Sequence, residues 1–167
     1  MKQNDLSVIG IGRLGLCFSL TLESAGFNVV GCDIIQNYVD QINNKTFISF
    51  EPGVNEKIKN SKNFLASTDI EKAVDHGQLI FVTVRTESEP DGRYDVSQVE
   101  SVVEQLISLG KQKETKHLVI CSNVNPGYSD TVYERLEKFN WEVSYNPETI
   151  AQGTILKNQE KPDCVYI

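Results

Sequence analysis

Three groups of residues in this 167-residue chain have types and spacings that could do chemistry. The first is Gly10-Ile11-Gly12-Arg13-Leu14-Gly15, which follows an apolar run and opens a helical pattern. In that setting Gly10 permits a tight turn, Gly12 lets a pyrophosphate approach the main chain, and Gly15 lets helix and strand pack closely. The phosphates then meet a helix N-terminus, where unbonded amides and the helix dipole favour negative charge. The second is Asp33, at the end of the next apolar run, where a carboxylate can accept hydrogen bonds from an adenosine ribose. Strand, turn, helix, strand and acid in this order point to dinucleotide binding. Ile34-Ile35-Gln36-Asn37 offer no cation for a 2′-phosphate, so NAD is expected rather than NADP. Two alternatives stay open: Asp33 could cap its own loop, and Arg13 either reaches a phosphate or stays solvated.

The third group is dispersed. Val84-Arg85-Thr86, Ser122-Asn123, Asn125-Pro126-Gly127 and Asn146-Pro147-Glu148 each stand after an apolar run. Ligands of open α/β sheets bind outside the carboxyl ends of the strands. These segments would bring hydroxyls, amides and one carboxylate to that edge, facing the nicotinamide half of a cofactor. Singly, each could be an ordinary cap or turn.

The elements that must position these residues are short apolar runs alternating with helical patterns. Strands are expected at Leu6–Ile9, Asn28–Cys32, Leu79–Val84 and His117–Cys121, with shorter ones at Asn63–Ala66, Glu142–Ser144 and Cys164–Ile167. Apolar residues at three- and four-residue spacing predict helices over Leu14–Ser24, Tyr38–Asn43, Val54–Lys59, Ile70–Asp75, Val96–Leu109 and Ser129–Phe139. Strand alternating with helix means parallel pairing with crossover helices, a doubly wound α/β sheet of Rossmann type. Asp95 and Gln98 have the spacing of a capping box, Gly26 stands where a left-handed helix end is expected, and Asp91-Gly92 marks a turn in the polar loop Thr86–Tyr94.

Composition limits the function classes. Hydrophobic residues are 40% and charged residues 23% of the chain, as in a globular domain, and its length suits one domain over 1–167. Lys plus Arg number 16 against 23 Asp plus Glu, a net −7 that argues against a nucleic-acid face. No apolar run is long enough to span a membrane, and the polar start does not resemble a signal peptide. Cys17, Cys32, Cys121 and Cys164 are far apart in apolar surroundings, which reads as buried packing in a reducing, cytoplasmic setting, with no metal site. An apolar strand ending at Ile167 looks cut from something longer.

Taken together, the motifs resemble the N-terminal NAD-binding domain of the nucleotide-sugar (UDP-glucose/GDP-mannose) dehydrogenases across nearly the whole chain. The resemblance is carried by the glycine turn with Asp33, by Phe50-Glu51-Pro52-Gly53 (similar to Tyr-Glu-Pro-Gly) and by Asp91-Gly92 with Asp95-Val96-Ser97. It continues in Ser122-Asn123-Val124-Asn125-Pro126-Gly127 (similar to Ser-Thr-Val-Pro-x-Gly), Asn146-Pro147-Glu148 and Pro162-Asp163-Cys164-Val165-Tyr166-Ile167. The family oxidises the C6 alcohol of a nucleotide sugar twice, through an aldehyde and a cysteine-bound thioester, to a uronic acid, reducing two NAD.

The resemblance implies a cofactor-binding set of Gly10, Ile11, Gly12, Arg13, Leu14, Gly15, Asp33, Tyr38, Val84, Arg85, Thr86, Ser122, Asn123 and Glu148. Tyr38 stands where the family often has Lys, and Thr86 matches the threonine of a Thr-Pro loop. Glu148 matches the glutamate that handles the water hydrolysing the thioester, a task suited to a carboxylate; read from its position alone, it could equally cap the segment after it. Asn123, also catalytic by position, replaces a threonine that helps hold this water. Glu87 replaces the proline after Thr86, and Ala151-Gln152 replace Arg-Glu, although Glu148-Thr149-Ile150-Ala151-Gln152-Gly153 resembles N-acetylated-sugar dehydrogenases.

The family's nucleophilic cysteine, catalytic lysine, dimer-forming helix and sugar-nucleotide domain match nothing in these residues. The expectation is therefore the cofactor half of such an enzyme, not competent alone, with a nucleotide sugar and a homodimer belonging to the full-length form. Alternatives are a free-standing NAD-binding module and, with less support, a Rossmann methyltransferase.

Overall fold

A computed structural model describes residues 4–148, 150 and 152–162. Its six strands are β1 (Asp5–Ile9), β2 (Asn28–Cys32), β3 (Phe64–Ser67), β4 (Leu79–Val82), β5 (Lys116–Ile120) and β6 (Trp141–Tyr145). All pair in parallel in the order β3-β2-β1-β4-β5-β6. The near-continuous apolar runs Leu6–Ile9 and Leu79–Val82 suit strands covered on both faces.

Among the described residues seven α-helices supply that cover: α1 (Arg13–Ser24), α2 (Gln36–Asn43), α3 (Val54–Asn60), α4 (Ile70–His76), α5 (Ser97–Ser108), α6 (Tyr128–Leu136) and α7 (Ile155–Glu160). Buried side chains fall into two clusters. One joins Ile9, Val30, Ile80 and Leu118 of the sheet to Val74 of α4, Val103 of α5, Leu136 of α6 and Trp141. The other joins Val8 and Val29 to Leu16 and Leu20 of α1, Ile42 of α2, Ile58 of α3 and Ile155 of α7. Alternation along β1, with Val8 in one cluster and Ile9 in the other, is the period-two rule for a sheet filled on both faces. The doubly wound Rossmann sheet expected from the sequence is present.

Register aligns the strand ends. Ile9 stands beside Cys32 and Val82, and Ile120 stands beside Val82 and Tyr145. Gly10, Asp33, Thr83, Cys121 and Asn146 therefore begin the loops of one edge. β1 lies at the centre of the order, where the chain turns first towards β2 and later returns through β4. That reversal leaves a crevice between the loops after β1 and β4.

Several boundaries differ from expectation, each for a physical reason. The strand expected to Val84 ends at Val82: the Thr83 amide still donates to Ile9 at 2.8 Å, and its hydroxyl turns to the Gly10 carbonyl oxygen, 2.7 Å away. The predicted Ser129–Phe139 helix ends at Leu136 and finishes as a 3-10 turn, Glu137–Phe139, closed by Asn140 at a left-handed φ of +70°. The capping box does not form: Asp95 accepts from the Ser97 amide at 2.8 Å, and no bond returns from Gln98 among the described residues. Gly26 does follow α1 with φ +97°. Asp91-Gly92 turns a small hairpin in which the Glu89 amide donates to Arg93 at 2.7 Å. Helix α7 was not expected from the sequence, and the strand expected at 164–167 lies outside the described residues. No described helix is long and apolar enough to cross a membrane.

Candidate functional site: the glycine turn and the carboxyl edge of the sheet

The turn after β1 is built from main chain. The Gly10 amide donates to the Cys32 carbonyl at 2.8 Å, tying the turn to the end of β2. Gly10 has φ +89°, and a Cβ there would stand 2.8 Å from Val84 Cγ1 and from the Val84 nitrogen. At Gly15 a Cβ would collide with the Gly10 carbonyl oxygen and the Thr83 hydroxyl. Gly12 is the opposite case: it is exposed, and nothing lies within 4 Å of where its Cβ would be. Helix α1 starts there with no side-chain cap. Its first amides have no intrahelical acceptor, by helix geometry. Bare amides, open space over Gly12 and the positive end of a three-turn helix form a cradle for a diphosphate.

Asp33 begins the loop after β2, half-buried, with its amide on the Ser67 carbonyl at 3.0 Å. One carboxylate oxygen accepts from the Ile35 amide at 3.2 Å, so Asp33 does cap its own loop. The other oxygen has no described donor and remains free to accept. Ile34 and Ile35 are 89% and 58% exposed, an apolar margin beside that oxygen. Tyr38 donates its hydroxyl to the Ile11 carbonyl at 2.7 Å and packs edge-on against Phe47. Burial, then the charge of Asp33, pushes the Tyr38 hydroxyl well above the usual phenol range. In this arrangement Tyr38 braces the glycine turn from behind. Arg13 is exposed and donates to the side-chain oxygen of Gln152, so its guanidinium lies at the mouth of the turn.

The loops after β4 and β5 are locked to each other. Ser122 is buried and donates its hydroxyl to the Val84 carbonyl at 2.7 Å. Asn125 pairs with the main chain of Tyr94, accepting from its amide and donating to its carbonyl, each at 3.0 Å. Pro126-Gly127 then turn the chain, with Gly127 at φ +79° and the Tyr128 amide returning to Asn125 at 3.0 Å. Arg85 is exposed and paired with Glu87. Thr86, half-buried, and Asn123, exposed, have no side-chain partners among the described residues. Ser122 and Asn125 hold the frame, while the Thr86 and Asn123 side chains have no described partner.

Glu148 completes the edge. Its amide donates to the Cys121 carbonyl at 3.4 Å, and the preceding Asn146 amide to Ile120 at 2.9 Å. The carboxyl is half-buried, has no described hydrogen-bond partner, and is held above the ordinary carboxylate range by burial. It caps no described amide. Cys121 lies near enough to feel its charge; burial, and then Glu148, push that thiol up to about 12. Burial likewise raises Cys17 to about 12 and Cys32 to about 11. Among the described residues there is no cluster of metal-binding side chains.

One buried charge had no role assigned from the sequence. Glu51, only 5% exposed, accepts from the Gly153 amide at 2.9 Å and the Ile155 amide at 2.8 Å. The residues present fit NAD: an uncapped amide cradle, an open Gly12, an uncommitted Asp33 oxygen and no cation at 34–37 for a further phosphate.

Comparison with known proteins agrees. A family model described as the UDP-glucose/GDP-mannose dehydrogenase family, NAD binding domain, matches residues 4–167. GDP-mannose 6-dehydrogenase of Pseudomonas savastanoi pv. phaseolicola is 28% identical over 97% of this chain and 40% of its own length. UDP-N-acetyl-D-mannosamine dehydrogenase of Methanococcus maripaludis is 32% identical over 95% of this chain and 37% of its own. Among solved structures, a ternary complex of GDP-mannose dehydrogenase from Pseudomonas aeruginosa superposes with a TM-score of 0.84 at 25% identity, covering 97% of this chain and 39% of that one. A UDP-glucose dehydrogenase from Pyrobaculum islandicum gives the same TM-score of 0.84 at 26% identity, over 97% and 40%. The chain thus spans about two fifths of the length of these named dehydrogenases.

Proposed function

The chain belongs to the UDP-glucose/GDP-mannose dehydrogenase family as its NAD-binding domain, and from that premise we propose that it is the cofactor half of a nucleotide-sugar 6-dehydrogenase. Membership in this family removes the methyltransferase alternative. The proposed overall reaction is the family's NAD-dependent oxidation of a C6 alcohol to a uronate. The observation that carries this beyond cofactor binding is the Glu148 carboxyl, half-buried and unpartnered at the same strand edge as the glycine turn.

Each residue has a part in this reading. NAD, when bound, supplies the hydride acceptor. The amides at the start of α1 hold its diphosphate, and Asp33 takes a ribose hydroxyl. Tyr38, through Ile11, keeps the turn from collapsing. Ser122 and Asn125 fix the spacing of the β4 and β5 loops, so that Thr86 and Asn123 present polar groups to the cofactor and to water. Glu148 accepts a proton from a water held within hydrogen-bond reach. Its raised affinity for protons moves it nearer the operating pH, where a base both accepts and releases readily.

The nucleophile would come from elsewhere in the whole protein. A thioester needs an exposed thiolate, and Cys17, Cys32 and Cys121 are all buried with raised thiols. The nucleotide-sugar site, a homodimer and a cytoplasmic location belong to the same proposal. A free-standing NAD-binding module is the second reading, favoured by Glu87, which sets a carboxylate beside Thr86 where it pairs with Arg85.

The test is NADH formation by the whole protein with UDP-glucose, GDP-mannose and UDP-N-acetylmannosamine in turn. Turnover with one of them supports the enzyme; NAD binding with no turnover on any supports the module. In an active enzyme, Glu148→Gln should slow release of the acid product with little change in NAD affinity. An unchanged steady-state rate would remove Glu148 from the chemistry.

A further inference from the structure

The segment after β6 does not stay on its own side of the sheet. It begins beside β5, where the Asn146 and Glu148 amides meet the Ile120 and Cys121 carbonyls. It ends on the opposite flank, where Ile155 and Leu156 of α7 are buried in the cluster of α1 and α3. Between these ends Gln152 meets Arg13 at the mouth of the glycine turn. By the sheet order, the chain runs from the end of β5, past the place of β4, to the start of α1. The described residues of this segment, 146–148, 150 and 152–156, form a strap with contacts on both sides of the crevice, and Glu148 lies near its start.

Ile150, Ile155 and Leu156 pack the far end of this segment into that cluster, and one buried side chain hydrogen-bonds its main chain. Glu51 spends one oxygen on the Gly153 amide at 2.9 Å and the other on the Ile155 amide at 2.8 Å. Its own loop is braced for this: the Ser49 amide and carbonyl pair with the Asn55 side chain at 2.7 and 3.0 Å. The Glu51 amide donates to the Ser49 hydroxyl at 3.1 Å. A buried carboxylate is costly unless its oxygens are hydrogen-bonded, and bonds to a charged acceptor are the stronger kind. Lys57 to Glu160 at 3.0 Å and Thr21 to Gln159 at 3.2 Å add weaker, more solvated ties further along α7.

We propose that Glu51 is a positioning residue for Glu148: by gripping the Gly153 and Ile155 amides it draws the strap across the strand ends and fixes where the Glu148 carboxyl stands at the crevice. Glu51 touches neither the proposed water nor the cofactor. This inference rests on the reading of Glu148 given above, but its test does not require turnover.

Amide exchange and side-chain carboxyl titration by NMR on the unliganded chain, unsubstituted and as Glu51→Gln, provide that test. Exchange at Gly153 and Ile155 should rise roughly tenfold or more in the variant, because a neutral amide replaces a charged acceptor. Exchange at Val8 and Ile9 of β1 should not change. Glu148 should then titrate closer to an ordinary exposed glutamate, a response that loss of a merely structural tie at Glu51 would not produce. Should Glu51→Gln fail to fold, Glu51→Asp keeps the charge on a shorter stem and should give the same pattern, weaker.

Unchanged protection at Gly153 and Ile155 would overturn the proposal, as would freed amides with an unchanged Glu148 titration. A parallel NAD titration of the unsubstituted chain keeps the two ideas apart. Failure to bind would count against the cofactor reading, while the exchange and titration results would stand or fall separately.

Discussion

Glu148 ties the site to pH, and the sign of the effect follows from burial. Its carboxyl has a raised pKa in the folded chain, so the folded state resists ionisation more than the unfolded state does. Below the unfolded value both states are neutral and no cost exists. As pH rises through the window above it, the folded state binds more protons than the unfolded one, and stability falls. Glu148→Gln should therefore raise Tm at neutral pH, and the gain should vanish by about pH 4; thermal melts across that range check it. Asp33 makes a different prediction. Removing the free acceptor in Asp33→Ala should weaken NAD roughly ten- to hundredfold, the worth of a hydrogen bond to a charged group, on calorimetric titration. Asp33 is legible in the sequence as the polar residue directly after an apolar run, whereas Glu148 is singled out by the resemblance carried by Asn146-Pro147-Glu148. In the sequence Glu51 stands out only as part of Phe50-Glu51-Pro52-Gly53, because its partners lie 102 and 104 residues away and no local pattern encodes them. Tyr38 is expected against the cofactor from the sequence, and its hydroxyl donates to the Ile11 carbonyl of the glycine turn.

Helix α1 and the turn before it carry two opposed requirements that substitution can separate. At Gly15 the neighbouring atoms are the Gly10 carbonyl and the Thr83 hydroxyl, so Gly15→Ala must push helix from strand. A loss of about 1–3 kcal/mol is expected, as for other overpacked sites, with a matching fall in the denaturant midpoint. An unchanged midpoint would mean the helix can shift freely. The helix and strand pattern was readable because both faces of the sheet are filled and the periodicities are clean. Helix α7 was missed for a reason seen in its sequence, Ile155-Leu156-Lys157-Asn158-Gln159-Glu160. Only its first two residues are buried, its Thr154 hydroxyl caps none of its amides and accepts only from the Asn158 side chain at 3.0 Å, and its start is satisfied by Glu51 instead. Distant capping leaves no local signal.

Across the whole molecule, the described residues after β6 contact both flanks of the sheet, Asn146 and Glu148 at β5 and Ile155 and Leu156 at α1 and α3. Ligand binding to the folded state alone raises stability by about 2.7 kcal/mol at a hundredfold excess over Kd. NAD should therefore raise Tm clearly and NADP less, because Asp33 repels a 2′-phosphate and residues 34–37 supply no cation. S-adenosylmethionine should leave Tm unchanged; a shift with it alone would overturn the cofactor assignment.

The most direct test of the account is calorimetric titration of NAD into the unsubstituted chain and into Gly12→Val. At Gly12 φ is negative, −61°, and no protein atom lies within 4 Å of an added Cβ. The variant should fold, with Tm lowered by no more than corresponds to the roughly 1 kcal/mol that a β-branched residue costs at a helix N-cap, while its side chain occupies the space the diphosphate needs. Affinity should fall by roughly a hundredfold or more, since both close approach and amide bonds are lost. Equal affinity in the two proteins would contradict the claim that bare amides at the start of α1 hold the cofactor.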